Sequence, residues 1–252
     1  MMSERTGNGY KPVSDRFHPV VRIGKTYRVL DLSAGYNPSS ISLDPPSIGK
    51  WNERRSNMYT TTLFEGRRNI HMGLDFWVPA GTPVCSFADG EILFFRDNSR
   101  PGDYGPTIVT RHRLPRNLPV FGGAVHDKTL QKDQKMENNA YSVDNIASQT
   151  GQILPEMDGP DFAILYALFG HLDRKSLERF KPGDPLSAGQ QIGQVGEEHE
   201  NGGWAPHLHL QFSIVRPDKP DMPGVVSDDA HQKALRIYPD PQLLLGRFYP
   251  AG

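Results

Sequence analysis

The sequence predicts a mainly β protein built from short strands and hairpins. Of its 252 residues, 25 are glycine and 22 are proline, a share that favours turns over long helices. Turn sequences in "VPAGTPV" and "ADGE" separate short segments in which apolar and polar residues alternate. Further along the chain, His207 and His209 alternate with Leu208, Leu210 and Phe212, which is the period of a β-strand.

Two more segments are predicted to be strands. The first is "PTIVTRH" (106–112), and the second is "FAILYALFGHL" (162–172), a buried strand in which Ile164, Tyr166 and Phe169 favour an extended backbone. An apolar run this short also fits a helix, but a glycine closes it. The polar insert at about 113–161 is long for a connection inside one domain, so we interpret it as a lid or as disordered chain.

The chain divides into three predicted parts. Residues 1–61 are polar and are predicted to form an irregular N-terminal extension that packs on the core. Residues 62–216 carry the regular β pattern together with the insert, and "SLERF" within them predicts a short helical turn. Residues 217–252 form a C-terminal extension.

Composition excludes several classes of protein. The net charge is −1 and no run of five or six basic residues is present, so the sequence lacks the electrostatic signature of nucleic-acid binding. The longest apolar run, Phe162 to Gly170, is well short of the roughly 18 residues that a membrane span needs. Cys85 is the single cysteine, which excludes an internal disulfide. The first residues contain no apolar signal-peptide core, so we expect a cytoplasmic protein.

Five residues carry the candidate chemistry. His207 and His209 share one face of a strand, His71 and Asp75 are spaced i and i+4 on one face of a strand or helix, and His171 ends the long apolar strand. A catalytic zinc site takes three protein ligands and leaves a fourth position for water. The remaining histidines would then move protons or stabilise an oxyanion. The residues by themselves leave open which of the five are ligands.

The other histidines and the nearby glycines have simpler interpretations. His112 ends a strand and is a candidate for supporting the site, whereas the rest are expected to be ordinary surface or core residues. Glycines around the expected groove either make turns or let a glycine-rich peptide approach closely. The histidines in question are His18, His112, His126, His199 and His231, and the glycines are Gly73, Gly170, Gly202 and Gly203.

Three other kinds of protein fit less well. A sugar-transport phosphocarrier also apposes histidines in a β-sandwich, but it has no use for Asp75. Lipoyl and biotinyl carriers need a lysine at a hairpin tip, and "GQQIGQVG" has none. The His-Glu-x-x-His motif of helical metalloproteases is missing from the sequence.

Four segments resemble, in this order, the successive motifs of the lysostaphin-type (LytM-like) zinc metallopeptidases: "HMGLDFWVPAGTPVCSFADGEI", "YALFGHL", "KPGDPLSAGQQIGQVG" and "PHLHLQF". The resemblance spans about residues 62–215 and implies an antiparallel β-sandwich of the duplicated-hybrid-motif type with zinc in a groove. It makes His71, Asp75 and His209 the Zn2+ ligands, and His171 and His207 the catalytic histidines.

The same resemblance implies a zinc-dependent metallo-endopeptidase that uses a zinc-activated water. Its binding partner would be a peptide or muropeptide, with peptidoglycan-type or glycine-rich peptides as the substrate class. The resemblance implies no particular protein partner.

A closer resemblance extends over more of the chain. The segments "IGKWNERRSNMYT", "DYGPTIVTRH", "ENGGWAPHLHLQF" and "YPDPQLLLGRF" are similar to a peptidase-like segment of large bacterial proteins, where it lies between a small-molecule-kinase-like domain and a class III aminotransferase-like domain. The chain departs from the secreted enzymes in having no export signal and in "EEHENGGWAPHLH", which alters the rim beside the metal. The alternative is therefore a zinc-binding accessory or binding domain with little or no peptidase activity.

Overall fold

Strands dominate the architecture, as the sequence predicts. The structure is a computed structural model that describes residues 3–6, 17–122 and 153–250. The strands in these residues are β1 (Ser3–Thr6), β2 (Thr26–Val29), β3 (Ser47–Gly49), β4 (Glu53–Arg54), β5 (Ile70–His71), β6 (Leu74–Trp77), β7 (Pro83–Cys85), β8 (Gly90–Asn98), β9 (Gly105–Pro115), β10 (Phe162–Gly170), β11 (Pro185–Leu186), β12 (Gln191–Gln194), β13 (Leu208–Ser213) and β14 (Val225–Val226).

One large sheet and two small ones contain these strands. The large sheet has the order β1-β2-β3-β6-β13-β10-β9-β8-β11, and the small sheets are β12-β7 and β14-β5-β4. Among the described strands, only β2 and β3 pair in parallel. The predicted mainly β, antiparallel fold is confirmed.

The two faces of the large sheet have different roles. Alternating residues of β6 and β13 enter the main hydrophobic core, and Leu74, Phe76 and Phe212 among them are fully buried there. Side chains alternate along a strand, so Asp75 and His209 project from the opposite face. The period of two thus separates the core from the candidate site within the same pair of strands.

Several local predictions are confirmed. The strands predicted at 106–112 and 162–172 are β9 and β10, and the predicted helical turn is a 3₁₀ helix at Arg174–Glu178. Most of the insert, residues 123–152, lies outside the described residues. No helix in the described part of the chain has both the length and the apolar character of a membrane span.

Both extensions contribute ordered elements around the β domain. Strands β2, β3 and β4 come from the first 61 residues, and β3 pairs with β6 beside Asp75. After residue 217 come β14 and two helices, α1 (Asp228–Ile237) and α2 (Gln242–Leu245). The Tyr249 hydroxyl accepts a hydrogen bond from the Trp51 backbone N–H at 2.7 Å, so the two extensions meet.

Candidate metal centre and groove

Three of the side chains selected from the sequence meet at one buried point. Asp75 Oδ1 lies 3.0 Å from His209 Nδ1 and 3.2 Å from His71 Nε2, and the two imidazole nitrogens are 3.0 Å apart. Each residue is at most 3% exposed. One ligand atom from each side chain therefore converges on the same small volume, which is the arrangement that a metal ion needs.

Strand pairing explains the convergence. Asp75 in β6 is directly opposite His209 in β13, so both side chains leave the same face of the large sheet. His71 belongs to β5 of the small sheet, and the chain changes strand at Met72 and Gly73. The i, i+4 spacing predicted that His71 and Asp75 share one face of a single strand or helix. That prediction is wrong, because the two residues belong to different strands. They meet because two sheets adjoin.

Two of the glycines make room for other side chains. A β-carbon at Gly73 would lie 2.2 Å from His209 Cε1, and one at Gly170 would lie 2.7 Å from Tyr104 Cδ1. Gly202 and Gly203 have φ values of 91° and 88°, which a turn requires. The close approach at Gly73 is therefore that of the His209 imidazole.

Hydrogen bonds and nearby charges set the tautomer of His71 and the pKa values of His71 and Asp75. His71 Nδ1 donates to the Lys50 carbonyl at 2.9 Å, which leaves Nε2 with its lone pair toward Asp75 and His209. Burial lowers the pKa of His71 to about 4. Burial alone would raise the pKa of Asp75, but attraction to the Arg55 guanidinium and the hydrogen bond from His209 hold it well below its usual range. The cluster therefore presents a neutral His71 imidazole and an ionised Asp75 carboxylate at neutral pH, with the His209 ring beside them.

His171 and His207 form a second pair beside the cluster, with ring centroids 4.2 Å apart. His171 Nδ1 donates to the Asn201 carbonyl at 2.7 Å, and His207 Nδ1 donates to the Ala205 carbonyl at 2.8 Å. In this tautomer each Nε2 is an acceptor. Burial lowers the pKa of both rings, to about 4 for His207, so both are neutral at pH 7 and able to take a proton.

His171 has an unusual backbone conformation, with a φ of 62° immediately after β10. Two backbone hydrogen bonds of 2.8 Å hold it there, from His171 N–H to the Tyr104 carbonyl and from Gly196 N–H to the His171 carbonyl. A positive φ is uncommon outside glycine and costs of the order of 1–3 kcal/mol, so it persists only where the surroundings enforce it. The turn directs the His171 ring to His207.

An aromatic stack supports His207 from the other side. The Trp77 ring lies 4.0 Å from the His207 ring with an interplanar angle of 20°, and Tyr36 stacks on Trp77 at 5.9 Å. Trp77 is fully buried. It projects from the same face of β6 as Asp75, because the two residues are two positions apart. The imidazole of His207 is thus held between Trp77 and His171.

All five candidate residues line one cavity of about 250 Å³. Tyr59, Phe64, Tyr104 and Trp204 give much of its wall an aromatic character. Besides Asp75, the charged residues that reach it are Arg55, Arg68, Asp103, Lys219 and Asp221. Described residues of the insert, 113–122 and 153–161, contribute nothing to this wall.

The remaining histidines lie elsewhere. His112 does not reach the groove: it is buried on the core face of β9, against Phe87, so the structure contradicts the idea that it supports the site. His231 is bonded to Asn52 on an exposed surface, and neither His18 nor His199 lines the cavity. His126 lies outside the described residues.

Two residues beside the site were missed by sequence analysis, Arg55 and Trp77. Arg55 Nη1 donates to Asp75 Oδ2 at 2.8 Å. The only sequence signal for it was a charged segment, "WNERRSN", and such segments are usually exposed. Trp77 follows Asp75 by two positions, so strand periodicity alone could have placed it on the same face.

A mainly β fold with a buried His-Asp-His cluster in a groove defines a candidate metalloprotein. No protein-family model matches the sequence. Solved structures give distant similarities. A variant of the catalytic domain of the prophage-encoded protein EnpA of Enterococcus faecalis is 18% identical, with a TM-score of 0.37, over 79% of this chain and 95% of that one.

Two other solved structures are similar at the same level. The catalytic domain of the antimicrobial peptidase lysostaphin of Staphylococcus simulans is 20% identical, with a TM-score of 0.32, over 66% of this chain and 80% of that one. A zinc-containing peptidase of Vibrio cholerae is 19% identical, with a TM-score of 0.34, over 86% of this chain and 41% of that one. These values are too low to assign an activity to this chain.

Proposed function

We propose that this protein is a zinc-dependent metallo-endopeptidase that hydrolyses peptide bonds. The observation that carries the proposal is the convergence of His71, Asp75 and His209 on one point, with His171 and His207 beside them in the same cavity. The three-residue cluster alone, or the pair of histidines alone, would be weak support for this function. Together they supply the ligands and the proton-transfer groups that metal-assisted hydrolysis requires.

The donor set fits zinc. Imidazole nitrogen and carboxylate oxygen are both zinc ligands, and a catalytic zinc site has three protein ligands and one open position. The tautomer of His71 is fixed by the Lys50 carbonyl, as is usual for a histidine that binds a metal. Zinc held by these residues would supply a Lewis acid and a source of hydroxide near neutral pH.

His171 and His207 are assigned to proton transfer. Each has Nδ1 committed to a backbone carbonyl, so Nε2 is the nitrogen that accepts a proton from the attacking water. Once protonated, the same nitrogen is a hydrogen-bond donor. It can then stabilise the charge that develops on the scissile carbonyl oxygen, or return the proton to the leaving amine.

A peptide of peptidoglycan type is the proposed substrate class. The order of the four sequence motifs, which resemble those of lysostaphin-type peptidases, supports this choice. The aromatic residues Tyr59, Phe64 and Trp204 on the cavity wall are compatible with an extended peptide, which combines apolar and hydrogen-bonding surface.

Two measurements on the purified protein test the proposal. Elemental analysis is expected to find about one zinc per chain, and mass spectrometry is expected to detect new cleavage products from a muropeptide mixture. His209→Ala is the control, because it removes one proposed ligand. A folded wild-type protein that takes up no zinc would contradict the proposal.

The accessory-domain alternative gives a different result in the same experiment. A zinc-binding accessory or binding domain would contain zinc at the same stoichiometry but would cleave little or no muropeptide. His207→Ala would then change neither measurement, because no proton transfer would depend on it.

A further inference from the structure

A buried arginine contacts one of the proposed metal ligands. The Arg55 side chain is 1% exposed, and its Nη1 atom donates to Asp75 Oδ2 at 2.8 Å. The other carboxylate oxygen, Oδ1, is the one that faces His71 and His209. The two oxygens of Asp75 are therefore divided between an arginine on one side and two imidazoles on the other.

The guanidinium is fixed by partners of its own. Arg55 Nε donates to Glu53 Oε2 at 3.0 Å, and Nη1 also donates to the Tyr59 hydroxyl at 3.1 Å. Glu53 is held in turn through Oε1, which lies 2.9 Å from Lys50 Nζ and accepts from the Leu32 N–H at 3.1 Å. A buried charge is costly unless it is paired and hydrogen-bonded. Here every partner acts to keep Arg55 in one orientation toward Asp75.

The backbone of β3 leaves space for this ion pair. Gly49 is directly opposite Asp75 in the β3–β6 pairing. A β-carbon at Gly49 would lie 2.8 Å from Arg55 Nη2 and 2.9 Å from Asp75 Oδ2, closer than such contacts normally occur. Gly49 is thus a second, independent indication that the Arg55–Asp75 contact needs this geometry, because a larger residue at position 49 would displace the same two side chains.

We propose that Arg55 is a positioning residue that holds Asp75 by Oδ2, so that the carboxylate offers the metal only Oδ1. The inference rests on the proposed function, because it takes Asp75 as a zinc ligand. Loss of a hydrogen-bonding partner behind a metal ligand typically weakens metal binding 10–100-fold. Without Arg55, the carboxylate is free to rotate and to offer both oxygens.

The test measures zinc affinity by competition with a chromophoric chelator in the full-length protein. Arg55→Met is expected to bind zinc about 10–100-fold more weakly than wild type. Gly49→Ala retains every charge and is expected to weaken binding on the order of tenfold, because it displaces the ion pair. Arg54→Met is the matched control, since the neighbouring Arg54 is half-exposed and bonds to Asp228 at the surface.

Cobalt provides a second measurement that a purely structural role would not change. Visible absorption of bound Co2+ weakens as its coordination number rises. The cobalt-loaded Arg55→Met protein is therefore expected to absorb more weakly than cobalt-loaded wild type, because Asp75 can bind through two oxygens. The cobalt spectrum of Arg54→Met is expected to match that of wild type.

The possible outcomes separate this inference from the proposed function. Wild-type zinc affinity and an unchanged cobalt spectrum in folded Arg55→Met and Gly49→Ala would overturn the role of Arg55 and leave the metal centre intact. A wild-type protein that binds no zinc would overturn the metal centre itself. If Arg55→Met does not fold, Gly49→Ala decides, and wild-type affinity in that variant overturns the inference.

Discussion

His112 in the core and His207 in the groove are alike in burial but differ in what their ring nitrogens contact. Burial lowers the pKa of each to about 4. In His112, Nε2 lies 2.7 Å from Thr110 Oγ1 and Nδ1 lies 3.0 Å from the Asp89 carbonyl, so both nitrogens have protein partners. In His207, Nδ1 alone has a hydrogen-bond partner among the residues that the structure describes, the Ala205 carbonyl. A lowered pKa therefore does not distinguish the two histidines, whereas a ring nitrogen that faces the shared cavity makes His207 the candidate for proton transfer.

The largest expected effect is that of removing a proposed ligand. His209→Ala is expected to lose zinc and all measurable peptidase activity, because the alanine leaves only His71 and Asp75 in the cluster. It should also lose whatever stability the bound metal supplies. Elemental analysis and muropeptide digestion measure the first two effects, and thermal unfolding with and without added zinc measures the third. Retention of one zinc per chain in this variant would show that the ligands are assigned wrongly.

The next effect separates His207 from His209. His207→Ala is expected to keep about one zinc per chain while the rate falls on the order of 10²–10⁴-fold, since a proton-transfer group is lost but no ligand is. The rate is measured on a muropeptide at saturating zinc. If His207→Ala loses zinc and His209→Ala keeps it, the roles of the two residues are reversed.

Sequence periodicity predicted the strands that carry the site, because one residue in two along β6 and β13 is apolar and enters the core. It could not predict which face of a strand lies over the groove. In β9, Ile108 and Leu114 join the main core, and His112 shares their face. Both faces of this sheet are buried in places. A period of two therefore shows which residues share a face of the strand, but it does not show whether that face lies against the core or the groove.

Arg55 shows a second limit of sequence analysis. Charged residues are rarely buried without a partner, so a charged segment outside the four lysostaphin-type motifs is expected to be exposed. Its burial depends on Asp75, 20 positions along the chain. The motif order found the five groove residues because their spacing is local to each motif, whereas the Arg55–Asp75 contact exists only after β3 and β4 have joined the β domain.

A third prediction concerns His112, the core histidine, and the stability of the fold. His112→Ala is expected to lower the free energy of unfolding by about 2–4 kcal/mol, because it leaves a cavity beside Phe87 and removes the partner of the Asp89 carbonyl. Zinc content and peptidase rate should stay at wild-type values. Denaturant unfolding measures the change, and a loss of zinc in this variant would mean that His112 does support the site.

The last expected effect is the pH dependence of the difference in unfolding free energy between wild type and His112→Ala. The folded pKa of His112 is about 4 and its ordinary value is 6.5, so the unfolded chain binds the proton first as the pH falls. The stabilisation by neutral His112 is complete above pH 6.5 and is lost as the pH falls to 4. The gap in unfolding free energy between wild type and His112→Ala should therefore shrink by about 3 kcal/mol over this range. Both proteins are measured in excess chelator, so that the groove histidines contribute equally. A gap that stays constant between pH 7.5 and 4 would show that His112 is not held neutral in the core.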